Sequence, residues 1–294
     1  MKNNSLFKQL ILCIKPINIF LPIVGYAIGG GFASYIGRSI KVDYFWLGLC
    51  IVILFSLCSD YQKCFFNVSE LGKKNRSKEN LTLKNNLLLL CYTLLTIGAI
   101  FSVLLYSKFE NEFVLLIFFG LFFLVVISSS IPPLLFILRG YSEIFLSIQT
   151  TALAPFFAIF LQIDILHQTL FLITFPAIFL LLAFFLAQSL EKYYEDIKTQ
   201  NYTLMTKLGW NLGMKLHNYF VLISYVLYGI AAIFGLSGIL SYPAWLSLPF
   251  AGVQFWEMWR IGEGYKPRWK LLKISSLGSI SVLAYFYVFI LWLR

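Results

Sequence analysis

Residues 115–127 read LLIFFGLFFLVVI, thirteen residues without one polar side chain. A strand with one wet face, including a strand of a membrane barrel, alternates apolar and polar residues. This run does not alternate. Widened to its polar flanks it becomes Phe113–Ser130, close to the roughly 20 residues a helix needs to cross a hydrocarbon core. Eight more runs of this kind are Ile17–Ile36, Phe45–Cys58, Leu87–Tyr106, Ile144–Ile163, Leu170–Leu190, Tyr219–Ile239, Trp245–Trp259 and Ile274–Leu293. The second and eighth spans are short as written and are predicted to extend into Lys63 and back towards Tyr242. Pro22, Pro155, Pro176 and Pro249 fall inside spans, which a helix bundle tolerates where neighbours re-satisfy the freed backbone groups. The fold class is therefore all-α integral membrane, with nine transmembrane helices.

Composition points the same way. The 294-residue chain is 60% hydrophobic and 12% charged, with a mean hydropathy of +0.81. Soluble domains carry about 25% charged residues, so there is too little polar surface to coat a soluble core. Disorder, a collagen-like fibre and a disulfide-stapled scaffold are excluded by the same figures. The net charge of +10 suggests nucleic acid until it is placed along the chain. With the N-terminus inside, nineteen of the 23 Lys and Arg fall on inside segments, leaving Arg38, Lys41, Lys108 and Arg294 outside. That is the positive-inside pattern: the charge reports topology and attraction to an anionic lipid bilayer, and no nucleic-acid partner is expected. The reading is a multi-pass protein of a bacterial inner membrane with its charged loops facing the cytoplasm.

The N-terminal LILCI is too short for a signal peptide and no small-residue cleavage site follows it. Residues 5–14 (SLFKQLILCI) read instead as an amphipathic helix on the inner surface. The five cysteines are odd in number and lack a CxxC, and the expectation is reduced thiols.

Two inside segments concentrate the polar residues: CSDYQKCFFNVSELGKKNRSKENLTLKNN (58–86) and LEKYYEDIKTQNYTLMTKLGWNLGMKLHNY (190–219). Each carries acids at a helix end and then a basic loop rich in Asn and Thr. Their displacement of four helices suggests one polytopic domain (1–294) built from helices 1–4 (about 15–130) and 5–9 (about 143–294), related as repeats about the membrane normal. Acids at helix ends beside a basic rim suit a magnesium-bound polyphosphate. They suit equally a solvated inside face whose acids pair with neighbouring bases.

In order and spacing the chain resembles the UbiA-type intramembrane aromatic prenyltransferases, nine-helix proteins with an inside N-terminus. The family's NDxxDxxxD signature is matched by SDYQKCFFN (Ser59–Asn67), followed by Asn75-Arg76 and Leu81-Thr82. Its DxxxD signature is matched by KYYED (Lys192–Asp196), followed by Thr203-Leu204 and Leu208-Gly209. KPIN (Lys15–Asn18) is similar to the Arg-Pro-x-Asn opening of helix one, and IPPLLFILRGYSEI (131–144) to the connection between helices four and five. Lysine stands at one aspartate position of each signature, Lys63 and Lys192.

The resemblance implies a UbiA-like bundle in which Mg2+ bridges an isoprenyl diphosphate, the allylic carbon–oxygen bond ionises, and a lipid-soluble or aromatic acceptor captures the cation. It makes Asp60 and Asp196 the catalytic carboxylates. The expected Mg2+ ligands are Asp60, Glu191, Glu195 and Asp196, with Glu191 and Glu195 an i, i+4 pair on one helix face. Asn67, Asn75 and Arg76 are expected at the diphosphate, with Lys63 and Lys192 as direct ammonium contacts or as marks of lost activity. Tyr61 and Tyr193 are candidates to face the cation, and Arg139 and Glu143 to orient the acceptor or cap a helix. Two other readings stay open: a degenerate relative that binds an isoprenoid or quinone lipid, or a partner enzyme, without turnover, and a transporter. Against the transporter, no acidic or basic residue lies centrally in a span.

Overall fold

The computed structural model describes residues 10, 13–74, 78–109, 112–128, 140–199 and 201–293, with the side chains at 67–74, 78–80, 112 and 127–128 outside the description. The expected surface helix at 5–14 lies almost wholly outside the described residues. The described chain is helical: α1 (Pro16–Tyr35), α2 (Val42–Lys74), α3 (Lys78–Tyr106), α4 (Glu112–Ser128) and α5 (Ser142–Ile163). There follow α6 (Gln168–Leu190), two short helices α7 (Tyr193–Thr199) and α8 (Leu204–Leu208), then α9 (Trp210–Ile233), α10 (Gly238–Gly262) and α11 (Trp269–Trp292).

Among the described residues seven helices are long and apolar enough to cross a membrane: Pro16–Tyr35, Val42–Phe66, Leu81–Tyr106, Ser142–Ile163, Gln168–Leu190, Trp210–Ile233 and Trp269–Trp292. Phe113–Val126 is apolar but shorter. α10 is long enough at 25 residues; Pro243, Pro249, Ser241, Ser247 and Gln254 dilute its apolar character. The outward faces suit lipid: Val103, Phe113, Ile233 and Tyr285 are all largely exposed, and contiguous exposed apolar surface marks a membrane or partner contact.

Local chemistry explains the breaks. Pro16 stands at the first turn of α1, where a missing N–H costs nothing. The His167 ring accepts from Thr169 N (3.2 Å) to start α6. α8 is closed by a reciprocal Thr203–Thr206 capping box, and Gly209 at φ +81° ends it, a conformation glycine adopts without a Cβ penalty. In α5, residues Gln149–Leu153 form a π-helical turn between two α-helical stretches.

α1 packs along α5, α2 along α3, α6 along α9, and α10 along α11. One apolar cluster joins α1, α5, α6, α9, α10 and α11, and a second joins α1 to α5. α1 and α5 belong to both and form the seam between halves. They approach closely because Gly25 and Gly29 face the Thr150 and Pro155 carbonyls, which an added Cβ would overlap.

Two expectations need correction. Segment 58–86 is not a loop: α2 runs on to Lys74 and α3 starts at Lys78, because the charged sequence keeps good helix formers and no proline. The cysteines are not all reduced thiols. Cys13 and Cys64, 51 residues apart, form a disulfide, while Cys50, Cys58 and Cys91 are free. The segment before α1 folds back beside α2, a proximity that spacing along the chain does not reveal.

Candidate functional site

At the end of the bundle where α1 begins and α6 ends, a cavity of about 760 Å³ opens. α1 contributes Lys15 and Asn18, α2 Lys63, α5 Glu143, α6 Phe185 and Gln188, and α11 Lys273. The turn after α6 and α7 add Lys192, Glu195 and Asp196, and the loop before α8 adds Asn201, Tyr202 and Thr203. Four ammonium groups thus face three carboxylates. The continuation of α2 puts Asp60 and Lys63 one helical turn apart on the same side. The break at residues 191–192 is followed by α7, whose Glu195, Asp196 and Thr199 line the cavity.

Asp60 is buried and occupied. Its Oδ2 accepts from Lys15 N (3.1 Å) and its Oδ1 from Asn18 Nδ2 (2.7 Å), with Lys63 Nζ 3.9 Å from Oδ1. It ties the start of α1 to α2 and sits behind Lys63 and Asn18, in a small crevice beside the main cavity. Asp196 is buried at the cavity wall and accepts from Asn201 Nδ2 (2.9 Å). Glu143, in the first turn of α5, accepts from Leu204 N (3.0 Å) and so caps α8 from another helix. Gly140, at φ +82°, brings that turn against the Thr203 carbonyl.

The structure brings Lys63, Lys192, Glu195 and Asp196 to the wall of one cavity. It separates others. Glu191 and Glu195 do not share a helix face, because the helix breaks between them, and Glu191 pairs with Lys273. Tyr61 packs on the apolar cluster around Cys58 and Cys91. Tyr193 and Tyr194 rest on Trp210 at 5.6 and 5.9 Å between ring centres. These tyrosines are outside the cavity wall, where Tyr202 stands instead. The side chain of Asn67, and Asn75, Arg76 and Arg139 entirely, lie outside the described residues. Sequence reasoning did not place Lys273, Gln188 or Asn201 at the site. Gln188 Nε2 donates to Lys273 O (3.3 Å) and Ser276 Oγ (3.0 Å), fixing α11 against α6.

A magnesium site needs near-octahedral oxygen ligands about 2.0–2.1 Å from the ion. Among the described residues no three His, Cys, Asp or Glu come together, and both Asp60 oxygens already hold donors. The proposed set of Asp60, Glu191, Glu195 and Asp196 is therefore not assembled, and the residues present do not fit a carboxylate cradle for the ion.

Next along the same four helices lies an apolar crevice of about 60 Å³. α1 passes from Asn18 to Leu21 and Ile28, α5 from Leu146 to Thr150 and Pro155, α6 back from Phe185 to Leu181 and Ile173, and α11 from Lys273 to Ile280 and Tyr287. Charge at the mouth and hydrocarbon beyond it is the layout an amphiphile requires.

No protein-family model matches the chain, and no curated protein does. Solved structures do. A UbiA homolog from Archaeoglobus fulgidus superposes at TM-score 0.64 with 15% identity, over 98% of this chain and 100% of that one. A UbiA homolog from Archaeoglobus fulgidus bound to GPP and Mg2+ gives 0.63 with 16% identity, over 97% and 100%. A structure of digeranylgeranylglyceryl phosphate synthase gives 0.62 with 14% identity, over the whole of both chains. The chain shares the fold of these UbiA homologs.

Proposed function

We propose that this protein transfers an isoprenyl group from an isoprenyl diphosphate to a lipid-soluble acceptor, as a nine-span membrane protein with its N-terminus and lysine-lined cavity on the cytoplasmic side. The observation that carries the reading is that cavity, continued along the same helices by an apolar crevice. The diphosphate sits among Lys15, Lys63, Lys192 and Lys273, whose ammonium groups offset its charge, and the isoprenoid chain leaves it along the apolar wall of the same cavity at Leu146, Phe184 and Phe185. Heterolysis of the allylic C–O bond sends the electron pair to the departing diphosphate, where the lysines stabilise the charge that develops. The acceptor's nucleophilic atom bonds to the allylic carbon and loses its proton to Glu195. Asp60 holds Lys63 and the start of α1 in position, and Asp196 orders the loop through Asn201. Mg2+, named for the Archaeoglobus homolog, has no carboxylate cradle among the described residues, so the diphosphate is anchored by ammonium groups.

One observation favours a second reading, binding without turnover. A carboxylate expected at the metal, Asp60, is spent on α1. Detergent-solubilised protein given radiolabelled geranylgeranyl diphosphate and mixed quinone precursors, with magnesium and with EDTA, separates the two. Prenylated product supports transfer, and saturable binding without product supports the second reading. Absence of binding overturns both.

A further inference from the structure

Most hydroxyls on these helices bond to the carbonyl a turn earlier, as Ser and Thr do in apolar surroundings. Ser56 donates to Val52 O (2.7 Å), Ser102 to Gly98 O (2.8 Å), and Thr151 to Ser147 O (2.8 Å). Thr150 and Thr174 do not. Their Oγ1 atoms are buried with no hydrogen-bond partner among the described residues, and the buried Tyr287 Oη has only the Tyr228 hydroxyl near it, outside good hydrogen-bond geometry. All three residues are more than nine-tenths buried, come from three different helices, and line the same apolar crevice. A buried polar atom left unpaired is costly and calls for an explanation.

The backbone around them is also unusual. Thr150 sits in the π-helical turn of α5, a feature that concentrates at functional positions. That turn points the neighbouring Gln149 the other way, to Ser56 Oγ (2.9 Å) on α2. Gly25 lets α1 close over the Thr150 carbonyl. Tyr228, beyond Tyr287, donates its own hydroxyl to Ile173 O (3.1 Å). A hydrocarbon chain filling the crevice would leave Thr150 and Thr174 unpaired, whereas a neutral oxygen atom would pair with them and with Tyr287.

We infer that the crevice between α1, α5, α6 and α11 is a binding site for the oxygen-bearing end of a neutral, membrane-soluble molecule, an alcohol, phenol or carbonyl compound, held by Thr150, Thr174 and Tyr287. The walls carry no charge, so a carboxylate or phosphate is refused there. Where the transfer reading above holds, this occupant is the acceptor, delivered along the helices to the allylic carbon; the binding itself does not depend on transfer.

The test uses p-cresol and toluene, which differ by one hydroxyl, on the whole solubilised protein without diphosphate, with affinities corrected for detergent partition. p-Cresol is expected to bind at least tenfold more tightly. Thr174→Val and Tyr287→Phe should each remove most of that preference without changing toluene binding, and Thr174→Ser, which keeps a hydroxyl, should retain it. Equal binding of the two probes, as when only water serves these hydroxyls, overturns the proposal, as does a preference that survives both substitutions. Geranyl diphosphate binding measured on the same preparations separates the two ideas. Its loss with the cresol preference intact removes the proposed function alone, and the converse removes this site alone.

Discussion

Replacing Asp60 by alanine separates a structural tie from a metal ligand. The carboxylate holds two donors at 3.1 and 2.7 Å and an ammonium at 3.9 Å while itself 2% exposed. Hydrogen bonds to a charged group contribute about 1.5–3 kcal/mol each. Removing one partner of a buried ion pair costs about 3–5 kcal/mol, because the other is left desolvated and uncompensated. The two figures overlap, since the same carboxylate serves all three partners, so the expected loss is about 3–5 kcal/mol. For a chain of this length the unfolding entropy scales to about 1.6 °C per kcal/mol, which places the melting temperature of Asp60→Ala about 5–8 °C lower in detergent. Asp60→Asn keeps the shape and one acceptor and should lose about half as much. Differential scanning fluorimetry on solubilised protein reads this directly, with geranyl diphosphate binding measured below the lower melting temperature. An Asp60→Ala protein that melts like the parent but no longer binds diphosphate would refute the reasoning and return Asp60 to the cavity as a ligand.

Lys192→Ala should weaken geranyl diphosphate binding about tenfold, close to 1.4 kcal/mol, with an unchanged melting temperature; EDTA should leave binding by the parent protein within about threefold, and calorimetry reads both. Gly29→Ala puts a Cβ against the Pro155 carbonyl and should destabilise by about 1–3 kcal/mol through overpacking, visible as a lower melting point. Glu143→Ala uncaps Leu204 N, a change of about 1 kcal/mol, and should speed proteolysis between residues 191 and 209. A reporter fused after Arg38 should lie outside the membrane, and one fused after Gly264 inside; the reverse pattern would overturn the orientation.

Much of the architecture is legible along the chain because a lipid-facing helix must be apolar over its whole length. That constraint is local, so runs such as 115–127 announce themselves, and their order carries the resemblance to UbiA-type proteins. The candidate site is legible only in part. Lys63, Lys192, Glu195 and Asp196 stand in short motifs beside helix ends. The fate of each side chain depends on what packs opposite. Glu191 and Glu195 look like one face until a two-residue break separates them, and the charged stretch 58–74 looks like a loop although its residues favour continued helix.

Read along the chain, the residues specify a helical membrane protein, the approximate position of its spans, and two polar segments at helix ends. Packing alone shows that these segments share a cavity, that Asp60 serves α1, that Lys273 from the far end of the chain joins the cavity, and that Thr150, Thr174 and Tyr287 share a crevice. The physical reason is that burial in lipid is a property of each segment alone. Pairing a charge or a hydroxyl is a property of two groups, which can lie far apart in the chain, as Ser56 and Gln149 do at 93 residues.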